Sequence, residues 1–135
     1  MGKYDKYFFT KEEGILGPVI HPEIELPTIK VDKGKLGDFG ISWEPIVHPF
    51  KMMDASHKHD YAQILAFVGN NLENMFDFDA EIELYLEGEK HIINKTTIVY
   101  IPAGMMHCPL YITRVGKPFL FNNMYFTAEY MKKDE

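Results

Sequence analysis

Three of the six histidines in this chain stand where their chemistry can be shared. His57 and His59 are two apart in His57-Lys58-His59-Asp60-Tyr61-Ala62-Gln63, and on an extended strand alternate side chains point to one face. Gln63 has the same parity and joins that face if the strand continues or if a short turn keeps the register. Pro102-Ala103-Gly104-Met105-Met106-His107 then delivers a third imidazole from a distant part of the chain, behind a Pro-x-Gly turn. Ring nitrogens and an amide oxygen converging on one point describe a transition-metal site. Imidazoles buried without a shared partner would strand polar nitrogens at roughly 1–3 kcal/mol each, and a common cation removes that cost. His21, His48 and His91 read as ordinary structural histidines, His48 being the nearest of them to the first cluster.

Strands are needed to position these groups. Residues 62–68 form an almost wholly apolar run that ends at Gly69, as a strand buried on both faces would, although periodicity alone does not exclude a helix. Ile41-Ser42-Trp43-Glu44-Pro45 reads as a short strand, and Glu81-Ile82-Glu83-Leu84-Tyr85-Leu86 alternates acid with apolar side chains like a half-buried one. Glu87-Gly88-Glu89 turns that strand into His91-Ile92-Ile93, and Thr97 to Ile101 is a β-branched and aromatic run halted by Pro102. Phe119-Leu120-Phe121 and Met124-Tyr125-Phe126-Thr127 read as closing strands, and a short helix is expected at most over Thr127 to Lys133. Many short strands with Gly, Pro and Asn turns give an all-β sandwich or barrel. Pro18, Pro22 and Pro27, then Gly34, Gly37 and Gly40, break the first third into arm, turns and short edge strands, with Tyr7-Phe8-Phe9 and Ile15-Leu16 available to pack on a barrel or a partner subunit.

Parity puts Tyr61, Leu65 and Phe67 on the ligand face and Lys58 and Asp60 on the opposite one. Tyr61 is the candidate catalytic side chain, able to offer a hydroxyl to a bound ligand, or else an aromatic of the wall. Trp43, Tyr85, Phe121 and Tyr125 are further wall candidates. Cys108 follows His107 directly, so alternation points it away from the ligands, and no adjacent base marks it as a nucleophile.

Length and composition set the bounds. A chain of 135 residues with 46% hydrophobic side chains supports one domain with a real core. The single Cys forms no intramolecular disulfide, which fits a reducing, cytoplasmic location, and leaves too little sulfur for a zinc finger. No signal peptide or membrane-length apolar run is expected. The net charge of −6, with Arg114 as the single arginine, lacks the basic stripe that nucleic acid requires. Glu73, Asp77, Asp79, Glu81, Glu83, Glu87 and Glu89 crowd one segment and read as a solvated face.

The two histidine motifs, in this order, resemble those of the cupin superfamily over about Trp43 to Tyr111. In that family His-x-His with a following Glu, and Pro-x-Gly-x-x-His, bind one metal inside a barrel. The resemblance implies a double-stranded β-helix, or jelly-roll barrel, over residues 39–130. Residues 1–38 would be an extended N-terminal arm with edge strands, and two such arms commonly join a homodimer. It implies metal ligands His57, His59, Gln63 and His107. Lys51 and Thr96 stand where the motifs usually begin with Gly, and Tyr111 where an Asn often follows. The departure that changes the chemistry is Gln63 in place of Glu. Neutral ligands leave about the full +2 on a divalent ion, which strengthens it as a Lewis acid and favours a small anionic oxygen donor as ligand. Fe, Mn, Ni, Zn and Cu all suit such a donor set.

Two function classes follow from that resemblance. One is a metal-dependent enzyme of dioxygenase, lyase or isomerase type acting on a small organic acid or carbonyl compound. The other is a non-catalytic small-ligand- or metal-binding protein, a sensor or accessory barrel. A metal-independent sugar epimerase using His and Tyr fits less well with a complete ligand set.

Overall fold

The alternation of the sequence becomes strand through most of the computed structural model, which describes residues 2–10, 23–24, 26–34 and 36–126. Among the described residues the strands are, in chain order, β1 (Ile29–Val31), β2 (Phe39–Ile46), β3 (Phe50–Met53), β4 (Gln63–Gly69), β5 (Ala80–Leu86), β6 (Glu89–Ile93), β7 (Thr97–Ile101), β8 (His107–Val115) and β9 (Phe119–Phe126). They pair antiparallel in two sheets, ordered β1-β2-β9-β4-β7 and β3-β8-β5-β6. The all-β jelly-roll reading therefore holds. The short C-terminal helix, Ile15-Leu16 and His21 lie outside the described residues.

Strands β2 and β5 bury one parity between the sheets, while β4 buries Leu65, Ala66 and Phe67 in succession. In β5, Ala80, Ile82 and Leu84 face inward while Glu81 and Glu83 face out, as their alternation requires. Ile46, Phe67, Ile101, Leu110, Ile112 and Phe121 join them in one core. The turn from β5 to β6 runs through Glu87 and Gly88, both left-handed (φ 50° and 79°), the conformation a two-residue hairpin turn demands. At Gly69 a Cβ would strike the backbone carbonyls of Asp77 and Met75, so the apolar run has to end in glycine there.

Three differences from the sequence reading have physical causes. The closing strands merge into one, β9, because Asn122 and Asn123 are paired inside it and make no turn: Asn122 Nδ2 donates to the Ser42 carbonyl at 2.6 Å. Strand β8 lies centrally in the second sheet although it contains Pro109, which is accommodated where the pairing with β5 slips between Leu84 and Leu86. Trp43 faces outward, because Gly40, Ser42, Glu44 and Ile46 take the inner face of β2.

At the N-terminus Asp5–Tyr7 form a single 3-10 turn, and Tyr7 and Phe8 are exposed. Ile24 reaches the core, and β1 adds an edge to the first sheet. The acidic segment is solvated, as expected, and several of its carboxylates are also paired. Arg114 pairs with Asp79 at 2.7 Å, and Lys90 with Glu83 at 3.8 Å. Hydrogen bonds from Asn71 and Lys117 hold the Asp77 carboxyl below its ordinary pKa.

Candidate metal centre

His57 and His107 are brought together by the backbone itself. Their peptide groups exchange two hydrogen bonds, His57 N–H to the His107 carbonyl at 2.9 Å and the reverse at 2.8 Å. The segment entering His107 is held by the β5–β6 turn, where Glu87 N–H donates to the Met106 carbonyl and Glu87 Oε2 accepts from Met106 N–H. Gly104 N–H donates to the His59 carbonyl at 2.7 Å, which ties the Pro-x-Gly turn to the first motif. Strand geometry does not run unbroken from His57 to Gln63: a bend at Asp60 and Tyr61 intervenes before β4 begins. His57 and Gln63 nevertheless line one cavity with His107, whereas His59 is not part of that lining and meets the cluster through its ring. The ring centroids of His57, His59 and His107 lie 4.9, 4.3 and 5.2 Å apart.

The tautomers follow from the neighbours. His57 Nδ1 lies 3.0 Å from the Ala55 carbonyl, and His107 Nδ1 lies 3.0 Å from the Met105 carbonyl. A carbonyl accepts only, so each Nδ1 carries the proton and each Nε2 presents a lone pair. This is the outer-shell arrangement that fixes a metal-ligating imidazole. His107 is 2% exposed, and its Nε2 has no hydrogen-bond partner. Gln63 Nε2 donates to Asn123 Oδ1 at 2.9 Å, and its Oε1 is likewise buried without a partner. Both groups line one cavity of about 90 Å³ together with His57, Glu44, Met52, Cys108 and Asn123. Orphaned acceptors gathered in this way are what a cation would satisfy, so the residues present fit a bound metal.

Electrostatics favour neutral, ligand-ready rings. Burial, followed by the neighbouring His57 and His107, holds the pKa of His59 below the usual histidine value. Burial does the same to His107, against an opposing hydrogen bond to Met105. Burial raises the pKa of the Glu44 carboxyl, with Ser42 and Lys30 pulling it back; Ser42 Oγ donates to Glu44 Oε2 at 3.1 Å.

Tyr61 stacks on the His59 ring, with centroids 4.6 Å apart and planes 7° from parallel. It is absent from the lining of the cavity and acts on His59 by packing. Lys58 and Asp60 are exposed, as their parity predicted. His91 pairs with Glu89 on the surface, and His48 rests edge-on against Phe50, both away from the centre. A larger groove of about 430 Å³ opens between β6 and β7, but it is mainly aliphatic and carries none of the clustered groups.

Cys108 corrects the sequence reading. A ring nitrogen each from His57 and His107 and the Cys108 sulfur all lie within 4.8 Å of one another. Alternation fails here because Cys108 and Pro109 together oppose the single residue Tyr85, which shifts the inward parity from His107 to Cys108, Leu110 and Ile112. Cys108 takes a left-handed φ of 76°, unusual for a side-chain-bearing residue, and the bond to Pro109 is cis. Burial pushes its thiol up to about 11. The sequence signal was His-Cys-Pro, since a proline inside a strand marks a bulge. Glu44 was also missed as a site residue, although its parity with Ser42 and Ile46 marks an inward acid.

No protein-family model and no curated protein matches the sequence. Solved structures do match. The cupin domain of Cnp3 from Schizosaccharomyces pombe aligns with a TM-score of 0.55 and 9% identity, covering 80% of this chain and 69% of that one. A cupin 2 conserved barrel domain protein from Salinispora arenicola aligns with a TM-score of 0.52 and 14% identity over 87% of this chain and 92% of that one. A predicted oxalate decarboxylase from Thermotoga maritima aligns with a TM-score of 0.54 and 10% identity over 75% of this chain and 79% of that one. The fold is that of the cupins, and a His/Cys cluster able to hold a metal ion lies within it.

Proposed function

We propose that the chain binds one divalent transition metal through His57, His59, Gln63 and His107 and acts on a small organic acid or carbonyl compound. The observation that carries this is the buried, unpartnered Nε2 of His107 sharing a cavity with His57 and the free Oε1 of Gln63. Iron, manganese, nickel, zinc and copper all accept such donors. When bound, the ion supplies Lewis acidity toward an anionic oxygen of the ligand.

The chain's own residues do the rest. Carbonyls of Ala55 and Met105 hold two imidazoles in the ligating tautomer, and Tyr61 keeps the His59 ring flat against it. Met52, Leu65, Leu110 and Phe121 give the cavity apolar walls that limit water. Glu44 is the one carboxylate in its lining, and its raised pKa suits it to exchanging a proton with a ligand. Binding pockets for larger molecules usually run to about 300–1,000 Å³. A cavity of about 90 Å³ instead restricts the ligand to a few heavy atoms beside the ion. The likeness to a predicted oxalate decarboxylase supports a small organic acid.

The test is turnover of metal-loaded protein on a panel of small dicarboxylates, 2-oxo acids and hydroxy acids. Oxygen uptake with iron or copper points to a dioxygenase, and turnover with zinc points to a lyase or isomerase. The same tight cavity favours a second reading, a non-catalytic metal or ligand binder. Acids held tightly and recovered unchanged with every metal would support that reading and overturn the enzyme.

A further inference from the structure

We propose that Cys108 belongs to the coordination set, so that the centre binds metal through a thiolate beside His57 and His107. This rests on the metal reading above and changes its character. Three observations support it. The Cys108 sulfur lies within 4.8 Å of the ring nitrogens of His57 and His107. The bulge opposite Tyr85 turns Cys108 inward, so that two consecutive residues, His107 and Cys108, line the same cavity. His107 Nε2, buried and unpartnered in that cavity, points independently to a bound ion.

A thiolate beside the neutral imidazole pair supplies the anionic donor that Gln63, standing in place of Glu, does not. On coordination the sulfur gives its proton to solvent and takes the ion in its place, and the thiolate cancels one unit of the metal's charge. His59 and Gln63 remain to fill further positions. Metal–sulfur bonds of about 2.3 Å and metal–nitrogen bonds of about 2.0–2.1 Å suit donors gathered, as these are, within 4.8 Å of one another. Sulfur also selects the metal: thiolate favours zinc, cobalt and copper over manganese or magnesium, which prefer oxygen. A left-handed backbone at Cys108 is strained for any residue with a Cβ, and such strain clusters at ligand-holding positions.

Cobalt(II) separates this inference from the reading beneath it. Full-length protein stripped with chelator is titrated with cobalt, while dialysis counts bound ion and the absorption spectrum reports its ligands. The expected result is one cobalt per chain with a near-ultraviolet thiolate-to-cobalt band. Cys108→Ser and Cys108→Ala should still bind cobalt through the histidines, more weakly than the native protein, and should lose the band. Cobalt bound by the native protein without the band overturns the thiolate and leaves the histidine centre standing. Failure of the native protein to bind cobalt overturns both. Because the native spectrum decides, poor folding of either variant leaves the answer intact.

Discussion

Replacing Gln63 by Glu should have opposite effects on the stripped and the metal-loaded protein. Gln63 Nε2 donates to Asn123 Oδ1 at 2.9 Å, and its other polar atom is buried in the cavity without a partner. A glutamate cannot donate, so its carboxylate faces Asn123 Oδ1 unless Asn123 turns its amide. It also adds an acid to a cavity that already contains Glu44. Losing the bond and leaving an acid poorly solvated costs about 1–3 kcal/mol. At about 2.1 cal/mol/K per residue, a chain of 135 residues unfolds with an entropy of about 0.28 kcal/mol/K. The stripped variant should therefore melt about 4–11 °C below the native protein. Metal reverses the sign. One unit-charge pair about 4 Å apart is worth about 4 kcal/mol at an effective dielectric near 20, so a carboxylate oxygen strengthens binding where an amide does not. Calorimetric melting with chelator and with saturating zinc reads both effects. The zinc-induced rise should be larger in Q63E than in the native protein. If the stripped proteins melt together and zinc raises Q63E less, Gln63 does not face the ion and the charge argument fails.

Other outcomes are equally direct. His57→Ala should lose zinc binding in titration calorimetry while His48→Ala retains it, because His48 rests on Phe50 outside the cluster; equal binding by the two variants would remove His57 from the site. Both His59 and His107 titrate below the ordinary value of 6.5, so the folded, stripped protein binds fewer protons than the unfolded chain. Its stability is then fully present above about pH 6.5 and falls as pH drops toward the lowered folded values, with Glu44 pulling the other way from its raised carboxyl. The urea midpoint should fall between pH 7.5 and 5.5, and His107→Gln should shrink that fall; an unchanged native midpoint would contradict it. Exposed Tyr7 and Phe8 are expected to be covered in a homodimer, and light scattering that shows a monomer for the full chain would remove that expectation.

The barrel was legible because its strands carry their periodicity openly. Glu81 to Leu86 alternates as its burial does, and the apolar run from Ala62, which periodicity alone did not separate from a helix, is an inner strand as its length and closing Gly69 suggested. The convergence of His57, His59 and His107 was legible too, because two motifs far apart in the chain each carried donors of one parity. What escaped lay where one residue changes the phase. Pro109 hides a central strand, since proline normally argues against one, and the bulge it occupies turns Cys108 inward against the alternation rule. Asn122 and Asn123 resemble a turn until their partners, Ser42 and Gln63, are seen on neighbouring strands. Pairing of that kind depends on registers that the order of residues does not display.

Metal content is the deciding measurement. Protein purified without an affinity tag, and then incubated with each candidate ion and dialysed, is to be assayed by elemental analysis. About one transition-metal ion per native chain is expected, and close to none in His107→Ala. A native chain that stays metal-free after exposure to every candidate ion would contradict the metal reading.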